Sequence, residues 1–495
     1  MRLSELTANM HGVETAGQSD PGILGLTSDS REAGPGFLFA ALPGCKADGA
    51  EYIRDAVSRG AAALLVSCIP TPDPGVPYVV ANDVRKALGE AADAFYEHPS
   101  QFLDLIGVTG TNGKTTTAYL LRHIFNQAGR RAGMLGTIEY DLGDKLEPAP
   151  LTTPDTVRFT RSLAEMRDFG CKTAVVEVSS HALAQDRAWP NRFAAAVFTN
   201  LTRDHLDYHG DMDSYLEAKR RLFTGLDDKA VAVFNFRDPA SERMAQGTPA
   251  RKMGYFLKGD GPEPQGVPGD ALHVELTRSD LDGQEFRVSG HNLDGVYHTP
   301  LIGRHNVENC LGAMLAAVGL GIRKGVLAKA LADFPGVPGR LERMESTDGV
   351  KVFVDYSHTD DALRSVLSVL RPLAKGALIT VFGCGGDRDP GKRPLMAKAA
   401  GEYSDRVVVT SDNPRTEEPE TIIDQIMPGF AKPETVTRDA DRPSAVNAAV
   451  AMAKPGDVVL VAGKGHEDYQ IVGTEKRHMD DRELVRDAFR ARGGR

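Results

Sequence analysis

The eight residues Gly110-Thr111-Asn112-Gly113-Lys114-Thr115-Thr116-Thr117 have the types and spacing needed to hold a phosphate. Gly110 and Gly113 let backbone N–H groups approach an anion, and a following helix N-terminus adds partial positive charge. Lys114 can reach terminal phosphates, and a hydroxyl at Thr115 or Thr116 can ligate Mg2+. The generic pattern has a glycine where Val108 stands here, with Gly107 one step away, so this loop is a variant. Its plain alternative is a Gly/Asn turn ahead of a capped helix.

Other polar residues can work beside such a loop. Glu177 ends a Val-rich run and offers hard oxygen to Mg2+; the alternative is a strand-end glutamate paired with an arginine. His205 stands among Asp204, Asp207 and His209, a group that reads as metal ligands or as a polar surface loop. Lys219 follows Ser214-Tyr215-Leu216-Glu217, which resembles a capping box opening a helix, and local pattern makes it a solvated helix lysine. Thr152-Thr153-Pro154-Asp155 reads as a helix start with Thr153 as N-cap and Pro154 at N1, a geometry that also leaves N–H groups for an anionic ligand. Gln185 and Arg187, just past Ser179, can hold an extended polar substrate. Arg388 and Arg415 suit bidentate recognition of carboxylates. Asp412 and Glu467 can bind an amino group, and Asp355 can accept from a ribose. Surface ion pairs are the ordinary alternative for the two arginines.

These residues need a scaffold that brings them together. Leu103 to Val108 predicts a strand and Ala118 to Ala128 a helix, framing the phosphate loop. Earlier strands are expected at Gly36–Ala40, Ala61–Val66 and Tyr78–Val80, with an exposed loop at Pro70–Pro74 and a helix from Val84 to Tyr96 ending at a hinge, His98-Pro99-Ser100. Further strands are expected at Thr173–Val178, Ala195–Asn200, Ala230–Phe234, Val352–Asp355, Leu378–Phe382, Val407–Thr410 and Val458–Ala462. Lys258 to Asp270 reads as a surface excursion, and Pro335 to Gly339 as a boundary. The polar motifs each follow a strand, and open α/β sheets bind ligands at the carboxyl ends of their strands. Chemistry between two α/β domains is therefore expected.

Composition narrows the class. A chain of 495 residues allows two to four domains. The net charge of −10 supplies no basic field for general nucleic-acid binding. The five cysteines are scattered without a CxxC pair, which fits a reducing compartment and argues against zinc or a disulfide framework. The N-terminus lacks the apolar core of a signal peptide, and no run of about 18 apolar residues is present, so a cytoplasmic protein is expected.

Taken in order, GTNGKTTT, EVSSHALAQDR, TNLTRDHLDYHG, GRHNVEN, PGRLE, DYSHTDDAL, GCGGDRDPGKRPLM, DNPR and GKGHEDYQ resemble the Mur ligases, a likeness that runs from Thr27-Ser28-Asp29-Ser30-Arg31 to the GKGHE segment. The resemblance implies an α/β enzyme of three domains. These are a UDP-binding N-terminal domain (residues 1–98), a central P-loop ATPase domain with a mainly parallel sheet (99–336) and a Rossmann-like amino-acid-binding domain (337–495). It implies ATP-driven activation of a nucleotide-sugar dipeptide carboxylate and amide formation with an incoming amino acid. The substrates implied are UDP-N-acetylmuramoyl-L-alanyl-D-glutamate and meso-2,6-diaminopimelate, used by a monomer.

By motif, the resemblance assigns Gly110, Thr111, Asn112, Gly113, Lys114, Thr115 and Thr116 to ATP, with Asn306, Arg340 and Asp355 toward adenine and ribose. It makes Thr115, Glu177 and His205 associates of Mg2+, and Lys219 a carbamate formed with CO2. Ser28, Ser30 and the Cys45-Lys46-Ala47 loop would hold the UDP portion, and Thr152, Thr153, Ser179, Gln185 and Arg187 the muramoyl peptide. Arg388, Asp412, Asn413, Pro414, Arg415, Gly463 and Glu467 would form the diaminopimelate pocket, Arg415 pairing with the carboxylate that lysine lacks. Ser357 and Asp360 stand where the family commonly has alanine and proline. The nearest rival is a folylpolyglutamate synthase, which shares the ATP chemistry; a nucleotide-driven binding protein that makes no bond is the rival from another class.

Overall fold

The computed structural model describes residues 1–44, 48–259 and 271–493. The expected Cys45-Lys46-Ala47 contacts, and most of the expected excursion after Lys258, lie outside these residues. By contact density the chain divides into two units. The first is residues 1–275, 288–295 and 308–331; the second is 276–287, 296–307 and 332–495.

The first unit opens with a small sheet. Its strands are β1 (Val13–Ala16), β2 (Gly25–Thr27), β3 (Phe37–Ala40), β4 (Ala63–Val66) and β5 (Tyr78–Ala81), in the order β1-β5-β4-β3-β2. The helix Val84–Phe95 covers it with an alanine- and leucine-rich face, capped by Asp83. The expected hinge is a short 3-10 turn, Pro99–Gln101, with Pro99 and Ser100 buried.

The central sheet follows, with β6 (Asp104–Thr109), β7 (Ala132–Leu135), β8 (Glu139–Asp141), β9 (Leu146–Pro148), β10 (Thr173–Glu177), β11 (Ala195–Phe198), β12 (Val231–Asn235) and β13 (Arg251–Leu257). They run in the order β13-β12-β11-β6-β10-β7-β8-β9. From β13 to β7 all pairings are parallel. Strands covered on both faces favour near-continuous apolar runs, and β10, β11 and β12 are mostly apolar and buried at every position. Strands β14 (Leu272–Asp280), β15 (Gly283–Ser289) and β16 (Gly295–Thr299) come next, and the division between the units falls within them.

In this sheet β6 lies between β11 and β10, with Glu177 opposite Val108 and Phe198 opposite Thr109. Three neighbouring parallel strands therefore deliver three polar motifs to one edge. The chain order reverses across β6, and such a switch point opens a crevice at the carboxyl ends of the strands.

The second unit repeats the arrangement. Strands β17 (Glu342–Glu345), β18 (Lys351–Asp355), β19 (Leu378–Phe382), β20 (Arg406–Val409), β21 (Thr437–Arg438) and β22 (Val458–Ala462) form a sheet ordered β17-β18-β22-β19-β20-β21. The run from β18 to β21 is parallel. A hairpin, β23 (Tyr469–Val472) with β24 (Glu475–His478), follows. The carboxyl ends of β18, β22, β19 and β20 carry Asp355, Gly463, Gly383 and Asp412 in adjacent loops.

Candidate active site

In the first unit the phosphate loop joins β6 to the helix Lys114–Gln127, which starts four residues earlier than the apolar pattern announces. Gly113 is its N-cap at φ 86°, and Gly110 has φ 150°. A Cβ on Gly110 would lie 1.9 Å from Thr199 Oγ1. The residues after β11 strap the loop down. Thr111 N donates to Asn200 O (2.9 Å), Asn112 N donates to Asn200 Oδ1 (2.9 Å), and Thr199 Oγ1 donates to Asn112 O (2.6 Å). The Lys114 ammonium donates to the carbonyls of Gly110 and Thr111 at 3.0 and 2.8 Å. Thr116 is buried in the first helical turn. Displacing this loop by an ångström should lower turnover about a hundredfold. Gly110→Ala is thus expected to lose ATP-dependent phosphate release to that extent; wild-type rates in the variant would refute the strapped-loop account.

Glu177 is fully buried. It is not paired with an arginine: its carboxylate accepts from Thr115 Oγ1 (2.9 Å), Thr137 N (2.9 Å) and Thr137 Oγ1 (3.1 Å). Thr137 was not visible as a site residue in the sequence, because nothing local distinguishes it from any threonine after a strand. The Thr115 hydroxyl and the Glu177 carboxylate are hard oxygen donors side by side at the helix start, a set that fits Mg2+. Among the described residues no three His, Cys, Asp or Glu side chains form a group that could hold a metal ion.

Lys219 corrects the local reading. It is 1% exposed, not solvated, and its ammonium donates to Gly110 O at 2.8 Å. Burial first, then the charge of Lys114, pulls its pKa well below the ordinary lysine value. The ammonium lies 4.5 Å from the Tyr215 ring centroid, and the Tyr215 hydroxyl is 3.1 Å from Thr111 Oγ1. The helix carrying Lys219, Met212–Thr224, is capped by Asp211, whose side chain accepts from Ser214 N. Ser214 therefore is not the cap: the stronger acceptor three residues earlier takes that place.

His205 is half exposed at φ 52°, with its ring 4.9 Å from His181 and 6.2 Å from Tyr215. His209 is tied to Ser180 Oγ at 2.9 Å. Thr153 is likewise not a cap; Asp155 caps the helix Thr156–Asp168. Thr153 is drawn inward instead. Its hydroxyl donates to Glu177 O (2.7 Å) and accepts from Ser179 N (3.0 Å), while its carbonyl accepts from Arg187 Nη1 (3.0 Å). Arg187 also grips Gln185 Oε1 through Nε and Nη2 at 3.0 and 2.7 Å. Thr152 Oγ1 is 3.2 Å from Thr137 Oγ1. The five residues expected to hold a peptide thus share one network around the end of β10. Ser28 and Ser30 line a separate cavity of about 1280 Å³, with Tyr96, Tyr140, Arg158 and Arg161 among its other walls.

In the second unit Asp412, Asn413, Gly463 and Glu467 converge. Asn413 Nδ2 donates to Glu467 Oε2 (3.1 Å), and a Cβ on Gly463 would meet Asp412 Oδ2 at 2.7 Å. Lys464, fully buried, joins them by donating to Asn413 Oδ1 (3.2 Å) and Glu467 Oε2 (3.3 Å). Nothing in the local sequence marks Lys464, because the Asn413 that it ties to Glu467 is remote in the chain. Arg415, at φ 53°, donates from Nη1 to Gly386 O at 2.8 Å, beside Pro414. Arg388 is exposed.

Asp355 is buried and already engaged, accepting from Leu341 N (2.7 Å) and from Ser357 Oγ. Burial raises its pKa. Ser357 thus secures the loop, and Thr359 caps the helix Asp360–Leu370 with Asp360 in its first turn, so the helix starts cleanly without proline. Asn306 Nδ2 donates to Ile302 O at 2.8 Å, and the Arg340 guanidinium lies 5.0 Å from the Tyr356 ring centroid.

Beside Tyr356 is His466. Burial, then the charges of Arg340 and Arg482, hold its imidazole down at about 4. The unfolded chain takes up that proton near pH 6.5, so the stability is present above 6.5 and lost as pH falls toward 4. Between pH 7.5 and 5 the wild type should lose about 1–2 kcal/mol more than His466→Gln in urea unfolding. Parallel pH profiles would sink this.

Sequence profiles of one family match across both units. Residues 22–96 match the Mur ligase family catalytic domain, 108–317 the Mur ligase middle domain, and 339–465 the Mur ligase glutamate ligase domain. The chain belongs to the Mur ligase family and has its three-domain α/β organisation. It is 43% identical to a UDP-N-acetylmuramoyl-L-alanyl-D-glutamate–2,6-diaminopimelate ligase of Geobacter metallireducens, over 99% of this chain and 98% of that one. It is 44% identical to the enzyme of the same name from Gloeobacter violaceus, over 100% and 99% of the two chains. A solved structure of a ligase of that name superposes with a TM-score of 0.70 at 32% identity, covering 95% of each chain. No described helix is long and apolar enough to cross a membrane.

Proposed function

We propose that this chain is an ATP-dependent ligase that joins meso-2,6-diaminopimelate to the D-glutamate γ-carboxylate of UDP-N-acetylmuramoyl-L-alanyl-D-glutamate. The observation that carries the reading is Lys219, a buried amine of lowered pKa hydrogen-bonded to the phosphate loop itself. Burial disfavours the ammonium form, and the free amine can add CO2, releasing a proton and leaving a carbamate.

A carboxylate is a poor acyl donor, so its oxygen must first become a leaving group. The loop Gly110–Thr116 holds ATP, and Lys114 offsets negative charge on the transferring phosphoryl group. Bound Mg2+ would supply further charge stabilisation, held by Thr115, Glu177, His205 and the Lys219 carbamate. The γ-carboxylate attacks the terminal phosphorus, ADP leaves, and an acyl phosphate forms. The incoming amine adds to its carbonyl carbon, and the tetrahedral intermediate collapses to an amide and inorganic phosphate. Thr152, Thr153, Ser179, Gln185 and Arg187 orient the peptide for attack, while Ser28 and Ser30 hold the UDP end in their cavity.

On this reading residues 1–98 bind the nucleotide sugar, 99–336 bind ATP, and 337–495 bind the amino acid. Asn306, Arg340 and Asp355 contact adenine and ribose. Asp412 and Glu467 take an amino group of diaminopimelate, with Asn413, Pro414 and Gly463 shaping its pocket, and Arg388 and Arg415 take carboxylates. The enzyme works as a monomer in the cytoplasm. One assay tests the reading: phosphate release with the UDP-linked dipeptide and meso-diaminopimelate, L-lysine or no amine. Release that ignores the amine would overturn it, and use of a folate with glutamate would favour the rival ligase.

A further inference from the structure

The loop bearing Arg388 and the loop bearing Arg415 leave different strands, β19 and β20, yet one set of bonds closes them into a single body. Gly386 N donates to Asn413 O (2.9 Å), and Arg415 Nη1 returns a bond to Gly386 O (2.8 Å). Asp387 accepts from Thr416 N (3.2 Å) and Thr416 Oγ1 (2.7 Å). Glu417 accepts from Asp387 N at 2.6 Å. Behind them stands Arg393, 1% exposed, whose Nη1 and Nη2 each reach the Glu417 carboxylate at 2.9 Å. Arg393 Nη2 also donates to Gly385 O at 3.3 Å, so one guanidinium touches both loops.

The join leaves no slack. A Cβ on Gly386 would fall 1.9 Å from Pro414 O, and one on Gly385 would fall 2.9 Å from Arg415 Nη1. Arg415 is itself at φ 53°, which a side-chain-bearing residue adopts only when its surroundings impose it. Hydrogen bonds from Arg415 N to Ile471 O (3.0 Å) and from Gly473 N to Arg415 O (2.7 Å) fix the backbone from the other side.

We infer that the Arg393–Glu417 pair is a specificity-positioning device: it clasps the two arginine-bearing loops so that Arg415 presents its guanidinium at the place of the acceptor's second carboxylate. The inference rests on the proposed use of diaminopimelate. Neither residue touches the acceptor. Glu417 acts through Asp387 and Thr416, and Arg393 through Glu417 and Gly385. Loosening the clasp should therefore blur the choice of amine and leave ATP handling alone.

The test compares wild type, Glu417→Gln, Arg393→Met combined with Glu417→Gln, and Arg415→Ala. For each, KM and kcat are measured with meso-diaminopimelate and with L-lysine, together with KM for ATP and the thermal midpoint. Glu417→Gln keeps an acceptor for Asp387 N but loses the ion pair, and the double variant leaves no buried arginine without its carboxylate. Both should raise KM for diaminopimelate about tenfold, leave lysine use and KM for ATP within twofold, and so narrow the preference between the two amines. Equal losses with both amines, or an unchanged preference, would overturn the clasp. Selectivity lost in Arg415→Ala but intact in both clasp variants would sink the clasp and spare the proposed function. A wild type that does not prefer diaminopimelate would bring down both.

Discussion

Lys219→Ala is expected to lower kcat about a thousandfold, the scale on which one preorganised charge-stabilising group acts, and millimolar short carboxylic acids should restore part of the rate. The reason lies in the burial of the lysine. A bare ammonium there would add positive charge beside Lys114 and would offset its desolvation with one hydrogen bond, to Gly110 O at 2.8 Å, and the face of the Tyr215 ring. A carbamate reverses the sign and brings two oxygens to the phosphate loop. Removing the side chain leaves a space that a free carboxylate can enter, and rescue should follow the acid's size. Lys219→Met should be as inactive as the alanine variant and at least as heat-stable as wild type, because it removes a buried charge and keeps the volume. Full activity in either variant without added acid would refute the carbamate role.

Arg415→Ala is expected to lower kcat/KM for meso-diaminopimelate by about two to three orders of magnitude while changing L-lysine use only slightly. Diaminopimelate carries a second carboxylate, and taking that charge from water without a partner costs several kcal/mol. The guanidinium is fixed by its bond to Gly386 O and by a left-handed backbone, so a more flexible lysine would not reproduce it. Arg415→Lys should therefore recover little. Equal losses with both amines would show that Arg415 supports the loop and does not read the carboxylate.

Sequence patterns reached far into this fold because its central strands are parallel and buried on both faces. The runs at β11 and β22 are apolar end to end and those at β10, β12 and β19 are mostly apolar and fully buried, so the polar residues at their ends stand out. Helix starts were less legible. Ser214 and Thr153 have cap chemistry, but Asp211 and Asp155 are the acceptors used, and Thr153 is spent on a bond to the carbonyl of Glu177. That bond joins residues far apart in sequence, so no local pattern contains it. Lys219 was readable in retrospect: Tyr215, Leu216, Lys219, Leu222 and Phe223 all lie on the buried face of one helix. A charge on an apolar stripe is the signal that treating the residue by itself overlooks. Lys464 and Thr137 carry no such signal: Thr137 meets Glu177 at the end of another strand, and Lys464 joins Glu467 of its own loop to the distant Asn413.

The bond between Thr153 Oγ1 and Glu177 O carries a thermodynamic consequence. Arg187 holds the carbonyl of Thr153, and Thr153 holds the last residue of β10, whose carboxylate meets Thr115 in the first turn of the phosphate-loop helix. On the proposed assignment, a peptide that engages Arg187 pulls on the same chain of bonds that positions the residues beside ATP. Linkage then requires reciprocity: whatever factor the dipeptide contributes to nucleotide affinity, the nucleotide returns to the dipeptide. Titrating each ligand with and without the other measures that shared factor, and Thr153→Val, which keeps the shape and removes the hydroxyl, should bring it toward one.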